Sequence, residues 1–140
     1  MDWDDRQASL VVTKDAIVGQ LVAECLAPNL TAEEAMRRGV EVHSDETRWS
    51  VSCIGGDYRD IEDQVKELKA IFASRAAEMR ALQDSGHVLH VEISGIVETG
   101  AKLRLSPSAL VALGSLPVPV FFKTFVPADL QEEDPLAWLD

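Results

Sequence analysis

Histidine, cysteine, serine and carboxylate positions are where chemistry would be sought, and their spacing in this chain supplies little of it. His87 and His90 stand three apart in a segment that alternates like a strand, so their side chains point to opposite faces and cannot share a metal. His43 lies beside Asp45 and Glu46, the spacing of a weak metal corner or of a solvated turn, and the turn is the expectation. Cys25 and Cys53 have neither chelating nor disulfide-framework spacing and read as buried free thiols. Gly55-Gly56 is followed by Asp57, whose charge opposes a bound phosphate. Ser106 and Ser108 are explained by helix capping, and no serine sits in a nucleophile elbow. The carboxylate pairs Asp60/Asp63 and Glu132/Glu133 fall on surface or tail, where nothing would shift their pKa for acid–base work. The expectation is no catalytic residue, no metal ligand set and no cofactor, in a protein that is not an enzyme.

The elements that position these groups are clearer. From Asp57 to about Asp84, Ile61, Val65, Leu68, Phe72, Ala76, Met79 and Leu82 recur every three or four residues, one stripe of a helix roughly 40 Å long. Asp57 offers a cap and Gly86 a left-handed stop. Ala8 to Val12 reads as a buried strand, and residues 14 to 26 as a helix capped by Thr13 or Asp15 and ended by Pro28. Thr31 to Glu34 is a capping box opening a short helix closed by Arg37-Arg38-Gly39. The two arginines also suit an anion contact, but their place in the last turn favours a structural role. Val40 to Ile54 alternates as a strand pair with Trp49 in the core under the long helix. His87 to Val97 alternates again, Glu98-Thr99-Gly100 reads as a hairpin turn, and Ala101 to Leu105 as the return strand. Ser106-Pro107 opens a helix of about eight residues. Val118 to Val126 is a last strand that Pro119 places at a sheet edge or beside a bulge. These elements predict an α+β fold, a two-layer sandwich whose antiparallel or mixed sheet is covered on one face by one long and two or three shorter helices.

The chain has 140 residues, 46% hydrophobic and 26% charged, the size of a single domain, with a core over about 8–126 and an acidic tail over 127–140. No apolar run approaches the 18 or more residues of a membrane span. The start, MDWDDRQ, is acidic where a secretory signal would be basic, so a cytoplasmic location is expected. The net charge of -11 argues against nucleic acid and anionic membrane and permits a basic protein partner. Aromatic content of 6% gives no stacking platform for bases.

The order Arg38-Gly39, Trp49 before a serine-containing strand, the long helix with Ile61, Val65, Leu68 and Leu82, the strand Val88 to Ile93, Leu105-Ser106-Pro107 with Leu110 and Leu113, and Val118-Pro119-Val120-Phe121-Phe122 resembles a bacterial family. That family consists of small α+β domains of unknown function, members of which are found among predicted immunity proteins of toxin systems. The resemblance covers roughly residues 9 to 126 and carries no catalytic residue. It implies a non-enzymatic protein that neutralises a cognate toxin, a basic toxin or enzyme, by direct binding. The alternative is a small-ligand domain or an enzyme using a pocket between sheet and helices. Candidate partner contacts are acidic: Asp45 and Glu46 in the turn, Glu62, Asp63, Glu67 and Glu78 on the long helix, and Asp129, Glu132, Glu133 and Asp134 with Trp138 in the tail.

Overall fold

The apolar run at residues 8–12 becomes the centre of the molecule. In the computed structural model, which describes residues 3–54, 60–97 and 100–126, this run lies in β1 (Asp4–Thr13), with antiparallel strands on both sides. Chain order continues with α1 (Gly19–Leu26), α2 (Ala32–Arg38), β2 (Val40–Ser44), β3 (Arg48–Cys53), α3 (Ile61–Phe72), α4 (Ala76–Asp84), β4 (Val88–Ile96), α5 (Pro107–Gly114) and β5 (Val120–Phe125). The sheet runs β2-β3-β1-β4-β5, antiparallel except for the parallel β4/β5 pair. It is a mixed sheet packed with helices, the α+β fold that the order of elements predicts.

Alternation decides which face the helices cover. Ala8, Leu10 and Val12 of β1, Trp49, Val51 and Cys53 of β3, and Leu89, Val91 and Ile93 of β4 are all buried in one cluster with Val22, Leu26, Ala35, Val65, Leu68, Phe72, Met79, Ala109 and Leu113. Side chains two apart on a strand share a face, so α1 to α5 lie on one side. Among the described residues no helix or strand covers the other side.

The long helix is corrected in two respects. The chain enters α3 only at Ile61, with Asp60 at the N-cap and no side-chain cap bond, and the proposed cap Asp57 lies outside the described residues. A 3-10 turn at Ala73–Arg75 then divides the helix into α3 and α4. A turn of three residues rather than 3.6 resets the direction of the stripe. α3 packs on β1, β3 and α5, whereas α4 packs on β4 and α1. Of the stripe, Ile61, Val65, Leu68, Phe72, Met79 and Leu82 are buried and Ala76 is half-buried, and Gln64 is buried with them. Two further expectations give way. Residues 14–18 form a connection held by Lys14 N donating to Thr47 O and Ile17 N to Glu46 O, so the first helix starts at Gly19 after an N-cap Val18 that has no side-chain bond. The return strand at Ala101 to Leu105 is absent: one contact, Trp3 N to Lys102 O at 3.1 Å, stands where a ladder was expected. Leu103 and Leu105 pack on the core instead. Residues Glu98 and Thr99 of the hairpin turn lie outside the described residues.

Local signals elsewhere match their geometry. Glu34 N donates to Thr31 Oγ1 at 3.2 Å, and Gly39 ends α2 at φ 69°, a conformation that costs other residues strain. Ala109 N donates to Ser106 Oγ at 3.1 Å with Pro107 opening α5. Trp49 is buried as expected.

Candidate functional site

Strand register lays out the uncovered face row by row. Paired residues point to the same side, so Glu41, Ser52, Ser9, Glu92 and Phe121 form one row across all five strands, and His43, Ser50, Val11 and His90 the next. The centre of this face is built from short hydroxyl side chains. Ser9 Oγ donates to Ser52 Oγ at 2.8 Å, both buried.

Val11 is fully buried although it points to this side, and the register explains why. Arg48 is paired with Thr13, one row beyond Val11, while Glu92 is paired with Ser9, one row before it. The Arg48 Nη2 to Glu92 Oε2 contact at 3.6 Å therefore runs diagonally from β3 to β4 across Val11 and roofs it with the arginine stem. His90 stacks on Phe121 with ring centroids 4.5 Å apart and has Nε2 3.9 Å from Glu92 Oε1. Burial pushes the His90 imidazole below its ordinary value and Arg48 adds to this, while Glu92 opposes it.

A stability consequence follows for His90. Its folded-state pKa lies below the usual 6.5, so above that pH both folded and unfolded chains hold it neutral and its contribution is complete. As pH falls below 6.5 the unfolded chain takes up the proton first, and stability is lost. His90→Phe is expected to flatten the stability profile between pH 7 and about 5 in urea titrations. An unchanged slope contradicts a buried neutral imidazole.

Beside the diagonal pair lies an open groove of about 400 Å³, lined by Gln7, His43, Ser44, Asp45, Arg48, Ser50 and Ser52. It offers hydroxyls, an amide and a guanidinium, suited to hydrogen bonding with a partner surface. The Ser52 hydroxyl is met by another serine rather than by a base. His43 Nε2 is 3.2 Å from Glu41 Oε2 instead of meeting Asp45.

The expected partner contacts separate into groups. Asp45 holds its own turn: Oδ1 accepts from Thr47 N at 2.8 Å and Arg48 N at 2.9 Å, and these backbone bonds lower its pKa. Glu46 is exposed next to it, at the end of the sheet. On the helical side, Glu62 accepts from Ser106 N at 3.2 Å and so ties α3 to the start of α5. Glu67 accepts from Arg38 Nη1 at 2.9 Å, and Glu78 is paired with Arg75 at 3.7 Å. Only Asp63 among these four is fully exposed. Asp129, Glu132, Glu133, Asp134 and Trp138 lie outside the described residues. The described acidic positions thus do not form one patch: Asp45 lines the groove on the uncovered face, Glu46 lies at the end of the sheet, and Glu62, Asp63, Glu67 and Glu78 lie on the helical side.

Arg37 and Arg38 are likewise occupied. Both bind Glu34, whose carboxyl is pulled down to about 2 by hydrogen bonds from Arg37 first and Arg38 second. His87 is a buried helix-end residue, with Nδ1 2.9 Å from Ser85 Oγ and 3.1 Å from Leu82 O. A cavity of about 360 Å³ lies among α1, α2 and α3, lined in part by Asn29, Glu34, Arg38 and Arg75. Among the described residues there is no group of three or more histidines, cysteines or acids able to hold a metal. Zinc and magnesium are accordingly expected to leave the melting temperature unchanged, and a clear rise on adding either overturns this. No helix among the described residues is long and apolar enough to cross a membrane. The chain matches no family model, no curated protein and no solved structure.

Proposed function

We propose that this is a non-enzymatic binding protein, an immunity-type inhibitor that neutralises a cognate toxin in the cytoplasm by occluding it, and that it meets this partner with the uncovered face of the sheet. The observation that carries the reading is the one-sided fold: every described helix lies on one face. The opposite face presents a hydroxyl floor with Glu41, Asp45 and Glu92 around it. Such a surface suits a polar, basic protuberance of a partner better than an enclosed small molecule. The net charge of -11 adds long-range attraction toward a basic toxin or enzyme, which salt screens over about 8 Å at physiological strength.

Co-expression with the product of the gene directly upstream tests the function. Growth arrest by that product, relieved by this protein and not by Glu41→Lys, is the expected result. Arrest that persists despite soluble expression of the wild-type protein contradicts it.

A further inference from the structure

The last strand leaves an edge that the fold itself does not use. Pro119 O accepts from Val91 N at 2.9 Å and Phe125 O from Val97 N at 2.8 Å, so the odd-numbered residues of this segment turn their backbone groups toward β4. Along an extended strand the direction alternates. Val120, Phe122 and Thr124 therefore turn theirs away from β4, and among the described residues no strand pairs with them. The same strand exposes Phe121 at 50%, Phe122 at 54% and Phe125 at 45%. An edge of this kind is normally blunted by charge, proline or cover. Here only Pro119 and Lys123 serve, both within a short apolar sequence.

We propose that a second copy of this chain covers this edge, β5 pairing antiparallel with β5 about a two-fold axis at Phe122. Register selects that arrangement. With Phe122 facing Phe122 of the second copy, Val120 faces Thr124 of the second copy, and every outward backbone group of the strand enters a facing pair that exchanges both N–H···O bonds. On the uncovered side, Phe121 then stands opposite Lys123 of the second copy, and the reciprocal pair completes two cation–ring contacts. Lys123 already sits over an aromatic ring in its own strand, 5.4 Å from the centroid of Phe125. A shift that brings Phe122 opposite Thr124 would set Lys123 against itself, like charge on like charge.

Charge bears on where two copies can meet. Residues 100–126 contain Lys102, Arg104 and Lys123 and no acid, in a chain of net charge -11. Two acidic copies repel at long range, and this edge is the stretch at which that repulsion is least. The axis of an antiparallel strand pair stands perpendicular to the sheet, so the dimer places both uncovered faces on the same side and all helices on the other. Dimerisation therefore leaves the proposed partner face free and presents it twice.

Sedimentation velocity of the full-length protein between about 1 and 100 µM is the test. A dimer is expected, with a dissociation constant raised at least about tenfold by Thr124→Pro and by Phe122→Lys. Thr124→Pro removes an N–H that the monomer's own ladder does not use. Phe122→Lys places two like charges at the axis without altering the backbone, and it decides the matter alone if the proline variant does not fold. Circular dichroism should show both variants folded. A wild-type protein that is monomeric throughout the range overturns the proposal. So does a dimer that both folded variants form with unchanged affinity, since its contact then lies elsewhere.

Discussion

Leu68→Ala is expected to destabilise the fold by about 2–5 kcal/mol, against less than about 0.5 kcal/mol for Lys69→Ala. Leu68 is fully buried, in the middle of α3 where that helix lies on β1 and β3. The strands under α3 contribute Leu10 and Val51 to the same cluster and are fixed by sheet pairing. A cavity there cannot close by a small helix shift, because α3 is also held at its start by Glu62 on Ser106 N. Lys69 is exposed one position on, so the pair separates burial from helix propensity. Both values are read from urea unfolding. Equal losses would show that α3 presents a different face to the sheet.

Gln64→Met is expected to cost about 2–4 kcal/mol although it keeps the length and most of the volume of the side chain. Gln64 is fully buried, the one buried amide side chain among the described residues. Its Oε1 accepts from Ala8 N at 2.8 Å and its Nε2 donates to Arg6 O at 2.9 Å. These backbone groups belong to the irregular start of β1, where the register with β4 shifts between Asp4 and Gln7 and Asp5 takes φ 49°. The side chain takes up backbone groups of β1 that lie beyond its last residue paired with β3, Ser9. Methionine leaves both groups without those partners, a penalty that an apolar replacement on the surface of the same helix, such as Lys66→Met, does not incur. A Gln64→Met protein as stable as wild type would mean that other groups, or water, satisfy this end of the strand.

What was legible in the sequence is what periodicity encodes. The stripe from Ile61 to Leu82, the alternation of Arg48 to Cys53 and of Val88 to Ile93, and the caps at Thr31, Gly39 and Ser106 all reappear because each depends on local spacing. The break at Ala73–Arg75 carries no signal, since alanine, serine and arginine sit equally well in a continuous helix. Ala101 to Leu105 alternates correctly but finds no strand beside it, and alternation alone cannot supply a pairing partner. Gln64 was hidden for the opposite reason: on the helix pattern a polar residue beside Val65 belongs to the solvated side, and only the backbone groups of Ala8 and Arg6 give it partners inside. The acidic positions were visible as charges, but their tasks depend on tertiary neighbours. Glu62 and Glu67 bind Ser106 and Arg38, 44 and 29 residues away. The diagonal pair of Arg48 and Glu92 and the stack of His90 on Phe121 likewise require the strand order, which the chain does not spell out.

On the proposed function, the uncovered sheet face, and not the helical face, meets the partner. This is tested by stopped-flow association of the purified product of the upstream gene with three proteins: wild type, Glu41→Lys, and Asp63→Lys as a charge-matched change on an exposed helical position. Both variants alter net charge equally, so general steering falls alike in both, and the difference between them reports the contact. The account predicts that the sheet-face variant associates more slowly and also dissociates at least about tenfold faster, while the helical variant keeps the wild-type dissociation rate. Faster dissociation confined to the helical variant would place the partner on the opposite side of the molecule and contradict the account.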